Sequence, residues 1–98
     1  MNYHKVKNVI PLRDYMLFIQ FEDGTNKKYD VKPLFSKWSE FKALTDIKGL
    51  FEQVKVDQGG YGIVWNDYID LSCEELYNNG IIQQQAVDYD EYRQEKAI

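Results

Sequence analysis

A chain of 98 residues, 44% apolar and 15% aromatic, has the material for one domain around one core. Sixteen acidic against twelve basic residues leave a net charge of −4, the opposite of the basic field with which nucleic-acid binders usually meet phosphate. No apolar run approaches the roughly 18 residues of a membrane span. No basic-then-apolar leader opens the chain, and the lone Cys73 cannot form an internal disulfide, so a cytoplasmic protein is expected.

The first predicted strand runs from Lys5 to Leu12, with Val6, Asn8, Ile10 and Leu12 on one face and Pro11 near its end. A tight corner at Arg13-Asp14 sets Leu12 opposite Tyr15, Ile10 opposite Leu17 and Val6 opposite Phe21. Val9, Met16 and Phe18 then gather on the other face. Three such residues are not expected to stand together in water, so they form a candidate partner face unless a helix covers them.

The next hairpin turns at Asp23-Gly24, a strong short-range turn signal. A two-residue turn would set Leu17 opposite Asp30 and Ile19 opposite Lys28, placing apolar groups beside charges. A three-residue loop, Glu22 to Gly24 with Gly24 left-handed, instead pairs Phe21 with Thr25, Ile19 with Lys27, Leu17 with Tyr29 and Tyr15 with Val31. The bulged register is the expected one, because a one-residue slip would turn the apolar set to the wrong face. The lysines along these strands, with His4, read as solvated faces and guarded edges.

Pro33 ends the third strand and opens a helical passage with an apolar stripe at Leu34, Phe35, Trp38, Phe41 and Leu44. Ser36 and Ser39 are candidate caps that break it, and the stripe reads as core. A further turn near Thr45-Asp46 is limited by Gly49. Leu50 to Asp57 reads as a fourth strand, and a two-residue turn at Gly59-Gly60 pairs Val56 with Ile63 and Val54 with Trp65. These glycines lie between strands, whereas a phosphate cradle needs them between a strand and a helix. After a loop at Asn66-Asp67-Tyr68, Ile69 and Leu71 make a last extended step. Ser72-Cys73-Glu74-Glu75 is then a capping box for a short helix carrying Leu76 and Tyr77, with Gly80 at its C-terminal end. Residues 81–98 lose periodicity and are expected to be a partly helical or mobile tail on a single domain of residues 1–80. The fold class is α+β: a three-stranded antiparallel meander and a second hairpin, with short helices packed on the sheet.

Several of these motifs together, Leu17-x-Ile19-x-Phe21-Glu22-Asp23-Gly24, Tyr29-Asp30-Val31, Phe51 before Val54-Lys55-Val56-Asp57, Val64-Trp65, and Ile69-Asp70-Leu71 leading to Glu75-Leu76-Tyr77, resemble the bacterial family catalogued as Domain of Unknown Function 2442. The resemblance covers about residues 5–78 and implies a small α+β domain. Some members carry a helix-turn-helix domain after this unit. Many are encoded beside another small protein, which has suggested toxin–antitoxin pairs. Here only about twenty residues follow Tyr77, so the DNA link is not expected to carry over. The family supplies no functional residues.

The residues themselves assemble no chemistry. His4, the lone histidine, is expected to be exposed near a strand start, a poor general base. Cys73 sits beside Glu74 and Glu75, which oppose its thiolate, so apolar packing is expected. One His and one Cys build no zinc site, no loop has calcium-hand spacing, and no cofactor is implied. Asp67 and Asp70, with Asp30, could suggest a two-carboxylate hydrolase. However, Asp70 precedes the capping box, where it favours the positive end of the helix, and Asp30 suits a strand end. The most function-like cluster is the loop Trp65, Asn66, Asp67, Tyr68 and Asp70, although Trp65 itself reads as core. The expected function is a small protein-interaction module whose partner is another protein or a second copy. Its sharpest form is the antitoxin-like or regulatory partner of a small neighbour. A ligand-binding or enzymatic domain with a pocket at the 65–70 loop is the alternative, and a DNA-associated accessory is a third.

Overall fold

A computed structural model describes residues 3–83 of the chain. Its first sheet holds β1 (Val6–Pro11), β2 (Met16–Phe21), β3 (Asn26–Asp30) and β7 (Ile81–Ile82), antiparallel and in that order. The second holds β4 (Lys55–Val56), β5 (Gly62–Asn66) and β6 (Ile69–Ser72). Three short α-helices lie between and after them: α1 (Leu34–Lys37), α2 (Ala43–Asp46) and α3 (Cys73–Asn79). The architecture is α+β, as expected.

The β2–β3 hairpin adopts the bulged register. Leu17 pairs with Tyr29 and Ile19 with Lys27, the Phe21 amide donates to the Thr25 carbonyl at 2.8 Å, and the Val31 amide donates to the Tyr15 carbonyl at 3.1 Å. Gly24 takes φ +91°, the left-handed conformation that lacks a Cβ penalty only in glycine.

The β1–β2 pair departs from expectation. Its corner holds three residues, Arg13 to Tyr15, and the Leu12 amide donates to the Met16 carbonyl at 2.8 Å. Ile10 therefore faces Phe18 and Val9 faces Ile19, one position away from the expected pairing. A bulge between Val6 and Asn8 absorbs the extra residue, and Val6 still faces Phe21. The consequence for the faces is large. Val9 joins the main core with Val6, Leu17, Ile19 and Phe21, while Ile10 and Leu12 join Met16 and Phe18 behind the sheet. Asp14 and Tyr15 carry the corner with φ +61° and +57°, a strained conformation for side chains with a Cβ. Lys32 holds it: its Nζ donates to the Asp14 carbonyl at 2.7 Å and lies 3.2 Å from Asp14 Oδ2 and 2.9 Å from Asp30 Oδ1. The Tyr15 ring meets Phe35 and Phe51 edge-on at 5.2 and 5.1 Å.

The helical passage after Pro33 is broken at Trp38 (φ −130°, ψ 121°) into α1, a 3-10 turn at Ser39–Lys42 and α2. No side chain caps these pieces. Ser36 Oγ donates to the Pro33 carbonyl and Ser39 Oγ to Glu40, so the break is made by the backbone at Trp38. Leu34, Phe41 and Leu44 are buried in the core, whereas Phe35 is half-buried and Trp38, expected in the same core stripe, is exposed at the break.

The expected fourth strand is shorter than the Leu50 to Asp57 span. Phe51–Gln53 is a 3-10 turn that drops Phe51 into the core, and only Lys55–Val56 is extended. Val56 faces Ile63 as expected, but the connection is a 3-10 turn at Gln58–Gly60 closed by the Gly60 amide on the Asp57 carbonyl, and not a two-residue glycine turn. Gly59 and Gly60 both have positive φ. A Cβ on Gly60 would lie 2.8 Å from the Val6 carbonyl oxygen, so this turn sits directly against β1. β6 completes a second meander where a single extended step was expected. Ile81–Ile82, expected in the tail, is instead the fourth strand of the first sheet, and the Gln83 amide donates to Asn26. The rest of the expected tail, residues 84–98, lies outside the described residues.

Candidate functional site

Trp65, Asn66, Asp67, Tyr68 and Asp70 lie on the β5–β6 hairpin, and the structure divides them by role. Trp65 is core. It is 5% exposed, its Nε1 donates to the Phe51 carbonyl at 3.0 Å, and its ring faces Phe41 and Phe51. Asn66 shapes the turn: its Oδ1 accepts from the Tyr68 amide at 2.9 Å and from the Ile69 amide at 3.0 Å. Asp67 and Asp70 are exposed, and Tyr68 between them is 80% exposed, the most exposed large apolar side chain described. The hairpin tip is therefore an aromatic ring held out by a turn with two amide bonds and flanked by two carboxylates.

The candidate partner face is split. Val9 is in the main core, Phe18 is 1% exposed, and Met16 is half-buried beside Phe18, Leu12 and Ile10. The bulge and the three-residue corner are the physical reason. Neither disturbs the apolar pattern from which the faces were read.

His4, expected at the surface, is clasped. Its ring stacks on Tyr77 with centroids 3.6 Å apart, its Nδ1 lies 3.1 Å from both Glu74 oxygens, and its amide donates to Glu74 Oε2 at 2.9 Å. These bonds to His4 hold the Glu74 carboxyl below the usual carboxylate range. Cys73 is buried, and burial, reinforced by Glu74, pushes its thiol up, which suits a packing residue. Glu75 fulfils half of the capping box: its amide donates to Ser72 Oγ at 3.1 Å, but its carboxylate accepts from Tyr29 Oη at 2.8 Å. Lys27, expected in solvent, is 8% exposed. Its ammonium donates to the Tyr77 carbonyl near the end of α3 and lies 4.0 Å from the Tyr77 ring centroid.

Burial first, then the Glu75 carboxylate, raise the Tyr29 phenol well above its ordinary value. The folded state thus keeps a proton that the unfolded chain releases above about pH 10. Stability is expected to fall as pH rises past that point, and Tyr29→Phe should flatten the decline. Thermal melts of both proteins between pH 8 and 11 check this.

Clefts of about 460, 340 and 650 Å³ lie, respectively, between the Asp14 corner and Thr45–Glu52, between α1 and α3 beside Tyr29, and along Phe35–Lys42. The hairpin-tip residues line none of these three. Among the described residues, no group of three or more His, Cys, Asp or Glu side chains is placed to hold a metal ion. No described helix is long and apolar enough to cross a membrane.

The fold is that of a small α+β domain with two antiparallel meanders. The chain belongs to the family described as "Protein of unknown function (DUF2442)", whose model matches residues 6–81. No curated protein and no solved structure matches it.

Proposed function

We propose that this chain is a small protein-interaction module that holds a basic partner at the tip of the β5–β6 hairpin. One observation carries the reading: Tyr68 stands 80% exposed on a turn pinned by Asn66, with Asp67 and Asp70 beside it. Rigid aromatic side chains with a polar end dominate binding energy at protein interfaces, because they bury a large area for little lost entropy. Two flanking carboxylates on a chain of net charge −4 favour a partner surface of opposite sign. The partner in this reading is a small neighbouring protein, and an antitoxin-like or regulatory role toward it rests on analogy with the family alone.

The test is co-purification from the protein's own cells. Tyr68→Ala is expected to lose the partner that the wild type retains, with a melting temperature unchanged within about 2 °C, since an exposed substitution shifts stability little. Equal retention by both proteins would remove the hairpin tip from the interface.

A further inference from the structure

The outer edge of β6 has the main-chain groups to take another strand. β6 ends its sheet, and its pairing with β5 shows which groups are engaged. The Cys73 amide donates to the Tyr61 carbonyl at 2.8 Å, and Leu71 faces Ile63 in the same phase, so the backbones of Leu71 and Cys73 point at β5. Backbone direction alternates along an antiparallel strand. The N–H and C=O of Asp70 and the N–H of Ser72 therefore point away from the sheet, at exposed positions. β4 at the other end of this sheet lies against β1, and its turn glycine touches Val6. β6 has no such neighbour among the strands described.

Charge names the occupant. From Asp57 to Gln83 the chain has five carboxylates and neither lysine nor arginine. The Asp70 side chain stands on the outer face in one row with Val64 and Lys55. Lys55 is two strands away, roughly 10 Å at ordinary strand spacing. A strand laid beside β6 would place a side chain directly opposite Asp70 and pass close to Asp67 and Tyr68. A lysine or arginine there forms a cross-strand ion pair, and a carboxylate is repelled.

We infer that the β6 edge is a strand-addition site for an extended basic segment of the partner, paired to the main chain of Asp70 and Ser72 and held by Asp67, Asp70 and Tyr68. This rests on the interaction reading above and deepens it, naming how the partner binds.

The experiment is a titration of the isotope-labelled full chain with a capped heptapeptide of alternating lysine and valine, followed by amide chemical shifts, with a glutamate–valine peptide as control. The expected result is saturable shifts centred on Tyr68, Asp70 and Ser72, about tenfold tighter for the lysine peptide and weakened by salt. Asp70→Pro removes the outward donor without touching a bond to β5, a replacement that edge strands tolerate, and it should abolish binding. Should Asp70→Pro fail to fold, alternate N-methylation of the peptide removes the same backbone bonds from the other side and should abolish binding equally. Absence of saturation, shifts centred on another edge, or binding indifferent to both changes would overturn the inference. A partner retained by Asp70→Pro but lost by Tyr68→Ala would overturn strand addition while leaving the interaction reading intact.

Discussion

Trp65→Ala is expected to cost about 3–5 kcal/mol, the range for emptying a buried aromatic site. The indole is 5% exposed, wedged against Phe41 and Phe51, and its N–H satisfies the Phe51 carbonyl at 3.0 Å. Truncation opens a cavity and leaves that buried carbonyl without its donor, and the two penalties add. A domain of this size typically has only about 5–15 kcal/mol of stability, so the variant should lose a large share of it and melt far below the wild type. Trp65→Phe keeps most of the volume and should recover much of the loss, with the missing hydrogen bond as the remainder. Denaturant melts of the three proteins check this. A wild-type-like melt for Trp65→Ala would mean that Trp65 belongs to the surface loop and not to the core.

Phe18→Lys is expected to unfold the domain. Were Phe18 part of an open partner face, the same change would spare the fold and abolish binding. The structure places Phe18 at 1% exposure, packed with Leu12 at 0% and flanked by Ile10 and Met16. Loss of the ring alone costs about 3–5 kcal/mol, and an ammonium confined to that site adds a desolvation penalty. Far-UV circular dichroism and a melt decide between the two outcomes. A cooperative transition within a few degrees of wild type would restore Phe18 to the surface.

These two substitutions mark what the sequence does and does not disclose. The β2–β3 register was legible because a one-residue slip would turn the apolar set to the wrong face, and Gly24 supplied the turn that avoids it. The β1–β2 register was not. It depends on Asp14 and Tyr15 adopting left-handed backbone, which a non-glycine sequence does not announce, and on a bulge before Asn8 that restores Val6 to Phe21. A pattern read with period two passes smoothly over both devices and assigns Val9 to the wrong face. The Gly59-Gly60 turn, the Ser72 cap and the burial of Trp65 were legible because each is local or follows from a neighbouring pairing. His4 on Tyr77 and Glu74, Tyr29 on Glu75 and Lys27 on the Tyr77 carbonyl join residues 46 to 73 positions apart, and no local rule reaches them. For the same reason the lysine expected in water became a buried cation at the end of a helix. The turn at Asn66-Asp67-Tyr68 was legible because a turn residue preceding an exposed ring is a local signal. The edge position of β6 required knowing that, among the described strands, Ile69–Ser72 pairs with β5 alone.

The reading of this chain as an interaction module is tested most directly by native mass spectrometry of the tagged wild type, purified gently from its own cells. The account predicts a mass equal to this chain plus a second, basic polypeptide in fixed stoichiometry. A lone monomer under conditions that preserve known complexes from the same cells would contradict it.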